Sequence, residues 1–449
     1  MSIENVLGTS VQYYLVAFNA AGKERDEAEG KMSQKILDVL SNEPITDVFL
    51  FSHGWLGDIA AARNQYNKWV KAMSKNLADI EQIQRARSEF CPLLIGLHWP
   101  SLPWGNEELG NSSESFAVQE FVVQEVSPVE QLVEEYAERI ANTQTAKQAL
   151  RTIFLAAMEN VAPDTLPPEV FEAYEVLNRE AHLVAEGEGA APGADHESFD
   201  PESIFQDAEN DPTSYGDLDW GSMLAPLRTL SFWKMKDRAR QFGESGGFQL
   251  LTKLQQATSN DVRFHLMGHS FGCIVVSATL AGPDGRGTLV RPVNSVALIQ
   301  GALSLWSYCS DIPVAPGRAG YFRSVVADRK VAGCIITTQS ENDTAVSKMY
   351  PLGAGLRQQV AFPVKADGSF EFPKYGGLGT FGARGPGLEI VDMKMLPVNG
   401  FYQFEAGKIY NLDSSEFIND KTGGGLGGAH SDIAKPEVAH AIWQAAIGS

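Results

Sequence analysis

Residues 264–276 read Phe-His-Leu-Met-Gly-His-Ser-Phe-Gly-Cys-Ile-Val-Val, which places a serine between glycines two positions before and two positions after it. Apolar residues precede and follow the motif. That is the pattern of a strand, a tight turn and a helix, with Ser270 at the tip of the turn. Such a turn lifts the hydroxyl clear of a sheet, and Gly268 and Gly272 let strand and helix pass close around it. The helix start adds the positive end of a dipole where negative charge would gather on a substrate oxygen. Ser270 is therefore the candidate nucleophile.

A serine nucleophile needs donors for an oxyanion and a base for its own proton. Val48-Phe-Leu-Phe-Ser-His-Gly-Trp55 supplies a second apolar strand, ending in His-Gly. The backbone amides of Trp55 and Phe271 are the candidate oxyanion hole. Losing one donor of this kind costs about 3–4 kcal/mol of transition-state stabilisation. His53, Gly54 and His269 flank these donors and are placed at the substrate-binding wall, with His53 structural rather than catalytic, because the base in this architecture comes late in the chain.

An unassisted serine hydroxyl is a weak nucleophile at neutral pH. Of the eight histidines, His265 and His269 belong to the serine motif, His182 and His196 to an acidic segment, and His98 to a strand end. His430 lies in the glycine-rich loop Gly427-Gly-Ala-His-Ser-Asp432, from which an imidazole can reach back over a sheet. His440 falls inside a terminal helical stretch and reads as a packing or surface residue. His430 is the candidate base. The acid that orients it should follow a strand between Ser270 and His430. Cys334-Ile-Ile-Thr-Thr-Gln-Ser-Glu-Asn-Asp-Thr344 offers Asp343, favoured over Glu341 and Asp311.

These residues need a scaffold. Runs at Tyr13–Phe18, Asp47–Ser52, Pro92–His98, Val262–Met267, Ser295–Gln300, Ala332–Thr337 and Lys408–Leu412 read as buried strands. Helical stretches follow at Asp58–Ala78, Phe271–Leu280 and Pro436–Ile447. The alternation predicts an α/β fold: a mostly parallel sheet covered by helices, with reactive groups at the carboxyl ends of its strands. Residues 105–225 interrupt it with three amphipathic periodicities, Val129–Ile140, Leu150–Ala157 and Val170–Leu177. They are read as an inserted acidic helical cap or lid on a core of residues 1–104 and 226–449. Glu186–Asp219 is expected to be looser. Within the glycine- and aromatic-rich stretch Tyr350–Tyr410, Tyr375–Gly387 reads as a surface loop.

The net charge of −20 argues against nucleic acid and against an anionic membrane surface as partners. The acidity is local, since residues 105–220 carry 26 acidic and 4 basic side chains. No apolar run is long enough for an integral membrane segment. The N-terminus lacks a secretory pattern, and the four cysteines are scattered in apolar contexts. Both suit a cytoplasmic protein with reduced thiols. No histidine or cysteine pair has metal-ligand spacing, so no metal and no cofactor are expected.

His-Gly loop, serine elbow, acid and histidine follow one another in that order. In this the chain resembles the α/β-hydrolase superfamily, its lipase- and esterase-like members in particular, over about residues 10–104 and 226–449. The resemblance implies Ser270 as nucleophile, His430 as general base, Asp343 as its orienting acid and the amides of Trp55 and Phe271 as the oxyanion hole. It also implies cofactor-free chemistry through an acyl-serine. The expected substrate is a small-molecule or lipid-like carboxylic ester. Amide or peptide hydrolysis and acyl transfer use the same triad and stay open, as does a non-catalytic binding protein on a hydrolase scaffold.

Overall fold

The computed structural model describes residues 3–27, 30–55, 59–101, 128–159, 163–210, 222–349, 372–422 and 428–448. Residues 102–104 of the expected core, parts of the expected cap (105–127, 160–162 and 211–221), of the Tyr350–Tyr410 stretch (350–371) and of the His430 loop (423–427) lie outside the described residues.

Among the described residues nine strands form one sheet: β1 (Ile3–Asn5), β2 (Gln12–Ala17), β3 (Asp47–Ser52), β4 (Pro92–His98), β5 (Arg263–His269), β6 (Ser295–Ile299), β7 (Ile335–Gln339), β8 (Ile390–Lys394) and β9 (Ile409–Asp413). Their order is β1-β2-β4-β3-β5-β6-β7-β9-β8. Only the β1–β2 pair is antiparallel. A parallel sheet must be covered on both faces, and the strand alternation shows how. Val48 and Leu50 of β3 join one apolar layer with α1 (Met32–Asn42), α8 (Ala225–Phe242), α9 (Phe248–Gln256) and α10 (Gly272–Ala281). Phe49 and Phe51 point into the other, with α2 (Ile59–Lys75), α3 (Leu77–Ala86) and the last helix, Pro436–Ile447. The helix expected over Asp58–Ala78, whose first residue lies outside the described residues, stops at Lys75, and a second one, α3, starts at Leu77.

A third apolar cluster stands apart from both layers. It is built by α4 (Pro128–Arg139), α5 (Gln144–Met158), α6 (Pro168–Glu180) and α7 (Pro201–Asn210), together with Leu227, Leu230 and Trp233 of α8. The early turns of α8 therefore pack with the cluster of α4–α7 and its later turns with the sheet layer. Among the described residues no helix is long and apolar enough to cross a membrane.

Two sequence readings change. Glu186–Asp219 is not uniformly loose: it contains α7, and Glu188, Asp195 and His196 are buried. A buried ion pair from Lys236 Nζ to both Asp195 oxygens, at 2.7 Å, accounts for acidic residues in an interior. Tyr375–Gly387 is not a surface loop either. Tyr375, Leu378, Phe381 and Ala383 are buried. Its glycines serve close approach rather than exposure: a side chain at Gly379 would fall 2.7 Å from the carbonyl carbon of Gln300.

Candidate active site

Ser270 directly follows β5 and stands two residues before α10, with φ 56°, a left-handed conformation for a residue with a side chain. Strain of this kind costs on the order of 1–3 kcal/mol and persists only where the surroundings dictate it. Here they do. Ser270 N donates to Ile299 O at 3.1 Å, and Ser270 O accepts from Cys273 N at 3.1 Å and Ala302 N at 3.2 Å. The flanking glycines are steric requirements, since a side chain at Gly268 would overlap the backbone of Gly272, and one at Gly272 would overlap Ser52 O.

The loop after β3 is braced from below. Gly96 of β4 leaves room for the Tyr66 ring, which is fully buried. Tyr66 Oη donates to Leu97 O at 2.6 Å and accepts from His53 N at 2.8 Å, tying the ends of β3 and β4 together. His53 is itself buried; its Nδ1 donates to Gly54 O at 2.9 Å, and its Nε2 accepts from Trp99 N at 3.3 Å. It therefore holds the loop. Gly54 lies against the nucleophile, where a side chain would come 2.8 Å from Ser270 Cβ. Trp55 and Phe271 stack at 5.8 Å, and Phe232 of α8 closes the triangle at 5.8 Å from Trp55 and 5.2 Å from Phe271. Among the described residues, the backbone amides of Trp55 and Phe271 make no hydrogen bond, which leaves both free to serve an oxyanion.

The structure brings Asp343 and His430 together. Asp343 follows β7 and is fully buried; its Oδ2 accepts from His430 Nδ1 at 2.7 Å. That bond puts the proton on Nδ1 and leaves Nε2 as the basic nitrogen. The two loops are also zipped along their backbones, with Ala429 N donating to Asn342 O at 2.9 Å. His269, the neighbour of Ser270, donates from Nε2 to His430 O at 2.9 Å. Burial, and then the nearby His430, hold the His269 imidazole well below the usual histidine range, so it stays neutral. Among the described residues no side-chain hydrogen bond joins Ser270 Oγ to His430; the two loops meet through His269, the neighbour of Ser270, whose Nε2 reaches His430 O.

The alternatives lie elsewhere. His440 is buried against Asp79 of α3, with its Nδ1 2.8 Å from Oδ2. Asp311 accepts from Gly317 N at 2.7 Å in a turn, and Glu341 is exposed. Sequence reasoning missed Gln300, whose Nε2 donates to Asp343 Oδ2 at 2.8 Å. Its one sequence signal is its position directly after an apolar strand. Among the described residues no three His, Cys, Asp or Glu side chains gather so as to hold a metal ion. Comparison with family models, with curated proteins and with solved structures finds no match to this chain.

Proposed function

We propose that this chain is a serine hydrolase of the α/β-hydrolase type that cleaves carboxylic esters. The observation that carries the reading is a strained serine at a strand–helix turn, with a histidine–aspartate couple bonded to its neighbour. His430 Nε2 takes the Ser270 proton as Oγ attacks the ester carbonyl carbon. The carbonyl oxygen becomes an oxyanion, held by the amides of Trp55 and Phe271. Collapse expels the alcohol, which leaves with the proton from His430, and an acyl-serine remains. Water, deprotonated by His430, then releases the acid and restores Ser270. Asp343 keeps its charge throughout, fixing the imidazole tautomer and stabilising the imidazolium.

The substrate class is a small-molecule or lipid-like ester, because the wall beside the oxyanion amides is aromatic: Trp55, Phe271 and Phe232. Phe232 stands where α8 joins the acidic helical cluster, which supports the insertion as a cap bearing on the acyl group. The net charge of −20 disfavours nucleic acid, and the unpaired cysteines suit a cytoplasmic setting. The test is a panel of p-nitrophenyl esters of increasing acyl length beside the matching anilides, with wild type and Ser270→Ala. Ester turnover that disappears in the alanine variant supports the reading. Faster anilide cleavage would make it an amidase, and equal turnover by both proteins would overturn it.

A further inference from the structure

Gln300 follows β6 directly and is fully buried. Its φ of 46° is left-handed, so a second strained residue lies one strand away from the strained serine. The strain is imposed by neighbours. Gln300 N donates to Thr338 Oγ1 of β7 at 2.9 Å, and a side chain at Gly379 would collide with the Gln300 backbone. The same threonine decides which way the side-chain amide faces. Its hydroxyl accepts from the Gln300 backbone, and its single proton goes to Gln300 Oε1 at 2.9 Å. Nε2 is then the end turned to Asp343 Oδ2, at 2.8 Å. The flipped amide would set an oxygen lone pair against a carboxylate, so the network admits one orientation.

Asp343 Oδ2 thus accepts from two donors, Gln300 Nε2 and His430 Nδ1, while Oδ1 accepts from Val346 N at 2.9 Å. A buried carboxylate with these three donors is fixed in plane and in rotation. We propose that Gln300 is a positioning residue for the triad: its side-chain amide, locked by Thr338, holds Asp343 in the rotamer that presents Oδ2 to His430 Nδ1. This rests on the serine-hydrolase reading. It adds a specific demand, that glutamine be required at the end of β6 because it can donate to one neighbour while accepting from another. The ionisable groups around this pair are His430 itself, His269 against its ring at 4.7 Å, and the exposed Glu341 two residues from Asp343. Burial keeps His269 neutral and Glu341 faces solvent, which leaves Gln300 Nε2, His430 Nδ1 and Val346 N as the groups bonded to the Asp343 carboxylate.

The test compares wild type, Gln300→Leu and Gln300→Glu by three readouts: ester kinetics across pH, the downfield proton resonance of His430 Nδ1–H, and the melting curve. Gln300→Leu should lower kcat about tenfold to a hundredfold with KM nearly unchanged, through loss of orientation. Its kcat/KM–pH profile should also differ from that of wild type, because the Asp343 carboxylate loses a hydrogen-bond donor. The downfield resonance should shift. Gln300→Glu keeps the shape but donates only when its carboxyl is protonated, so its kcat/KM should form a narrow bell that falls at a pH where wild type is still on its plateau. Leucine and glutamate variants that fold and retain the wild-type profile and resonance overturn the proposal. Should Gln300→Leu fail to fold, the bell of Gln300→Glu decides alone. If no ester is turned over by wild type, the hydrolase reading fails, while the resonance still decides whether Gln300 holds the Asp343–His430 couple.

Discussion

The molecule contains two strings of serine, histidine and aspartate, one at each end of its sheet. At the carboxyl end are Ser270, His430 and Asp343. At the amino end, His265 Nδ1 accepts from Ser295 Oγ at 2.8 Å, and His265 Nε2 donates to Asp47 Oδ1 at 3.1 Å. By residue type and hydrogen bonding the second string is the more complete. Yet Arg87 caps its aspartate at 2.7 Å, Ser295 has an ordinary strand backbone, and the His265 and Asp47 side chains are 1% and 0% exposed. Burial drives the His265 imidazole below the ordinary histidine range although Asp47 pulls the other way, so it remains neutral. At the carboxyl end the serine is strained, two amides are unoccupied and the His430 side chain is 15% exposed. The contrast separates a string sealed in the interior from one that combines a partly exposed imidazole, a serine in a strained conformation and backbone amides without partners, which are the features the proposed triad would use.

That contrast predicts opposite outcomes for matched substitutions. His430→Ala should lower kcat by roughly four to six orders of magnitude with little change in stability, since triad members act as a unit. His265→Ala should instead remove one donor from the buried Asp47 carboxylate, which keeps Arg87, and cost about 1–3 kcal/mol of stability, with turnover per folded molecule retained. Denaturant titration beside ester kinetics reads both. If His265→Ala abolished turnover in a folded protein, the division between the two strings would be wrong. Asp343→Asn should lose about four orders of magnitude through the wrong tautomer. Asp311→Asn and Glu341→Gln should be near wild type; a severe loss in either would reassign the acid.

The two buried histidines should contribute less stability as pH falls. His265 and His269 both have folded pKa values below the unfolded value of about 6.5. Their contribution is complete above that pH and is lost as pH drops, because the unfolded chain then binds more protons. The slope reaches about 1.4 kcal/mol per pH unit for each histidine. Unfolding free energies of wild type and His265→Asn between pH 7.5 and pH 5 check this as the difference between the two proteins, because Glu188 bends the total the other way; a difference that stays constant with pH would contradict the buried neutral assignment of His265. Replacing His265 by asparagine should remove one share of the slope.

How much of this could be read from sequence depended on the range of the interactions. The elbow was legible because its requirements are local: Gly268 and Gly272 lie two residues from Ser270, and the apolar runs around them declare strand and helix. Asp343 and His430 were legible through chain order, as residues following late strands. Gln300 was not, because its role depends on β6 lying beside β7, a register that brings Thr338 and Asp343 to it across the sheet. Tyr375–Gly387 was misread because glycine density marks close backbone approach as well as exposure, and only the position of Gln300 and Asn411 shows which applies. The Asp47–His265–Ser295 string left no sequence trace at all, being three residues on three strands.

Smaller effects test the boundary between cap and core. Phe232→Ala should change the ranking of esters by acyl length about tenfold in kcat/KM, with Ser270 still reactive; an unchanged ranking would remove α8 from the acyl wall. Glu188 is buried against Ser304, and burial, reinforced by Asp195, pushes its carboxyl up to about 8. A raised folded value means the native state holds a proton that the unfolded chain has lost, so stability drops as pH rises from about 4.5 through 8. Glu188→Gln should therefore melt higher than wild type at pH 8, with the difference shrinking toward pH 5.

The central claim is that Ser270 is the nucleophile, and a fluorophosphonate probe reads it without knowledge of the natural substrate. The full chain should gain one adduct by intact mass, mapping to the peptide that contains Gly268-His269-Ser270-Phe271-Gly272. Ser270→Ala should gain none while keeping the wild-type melting curve. An adduct on Ser295 or any other serine, or labelling that survives in folded Ser270→Ala, would contradict the account.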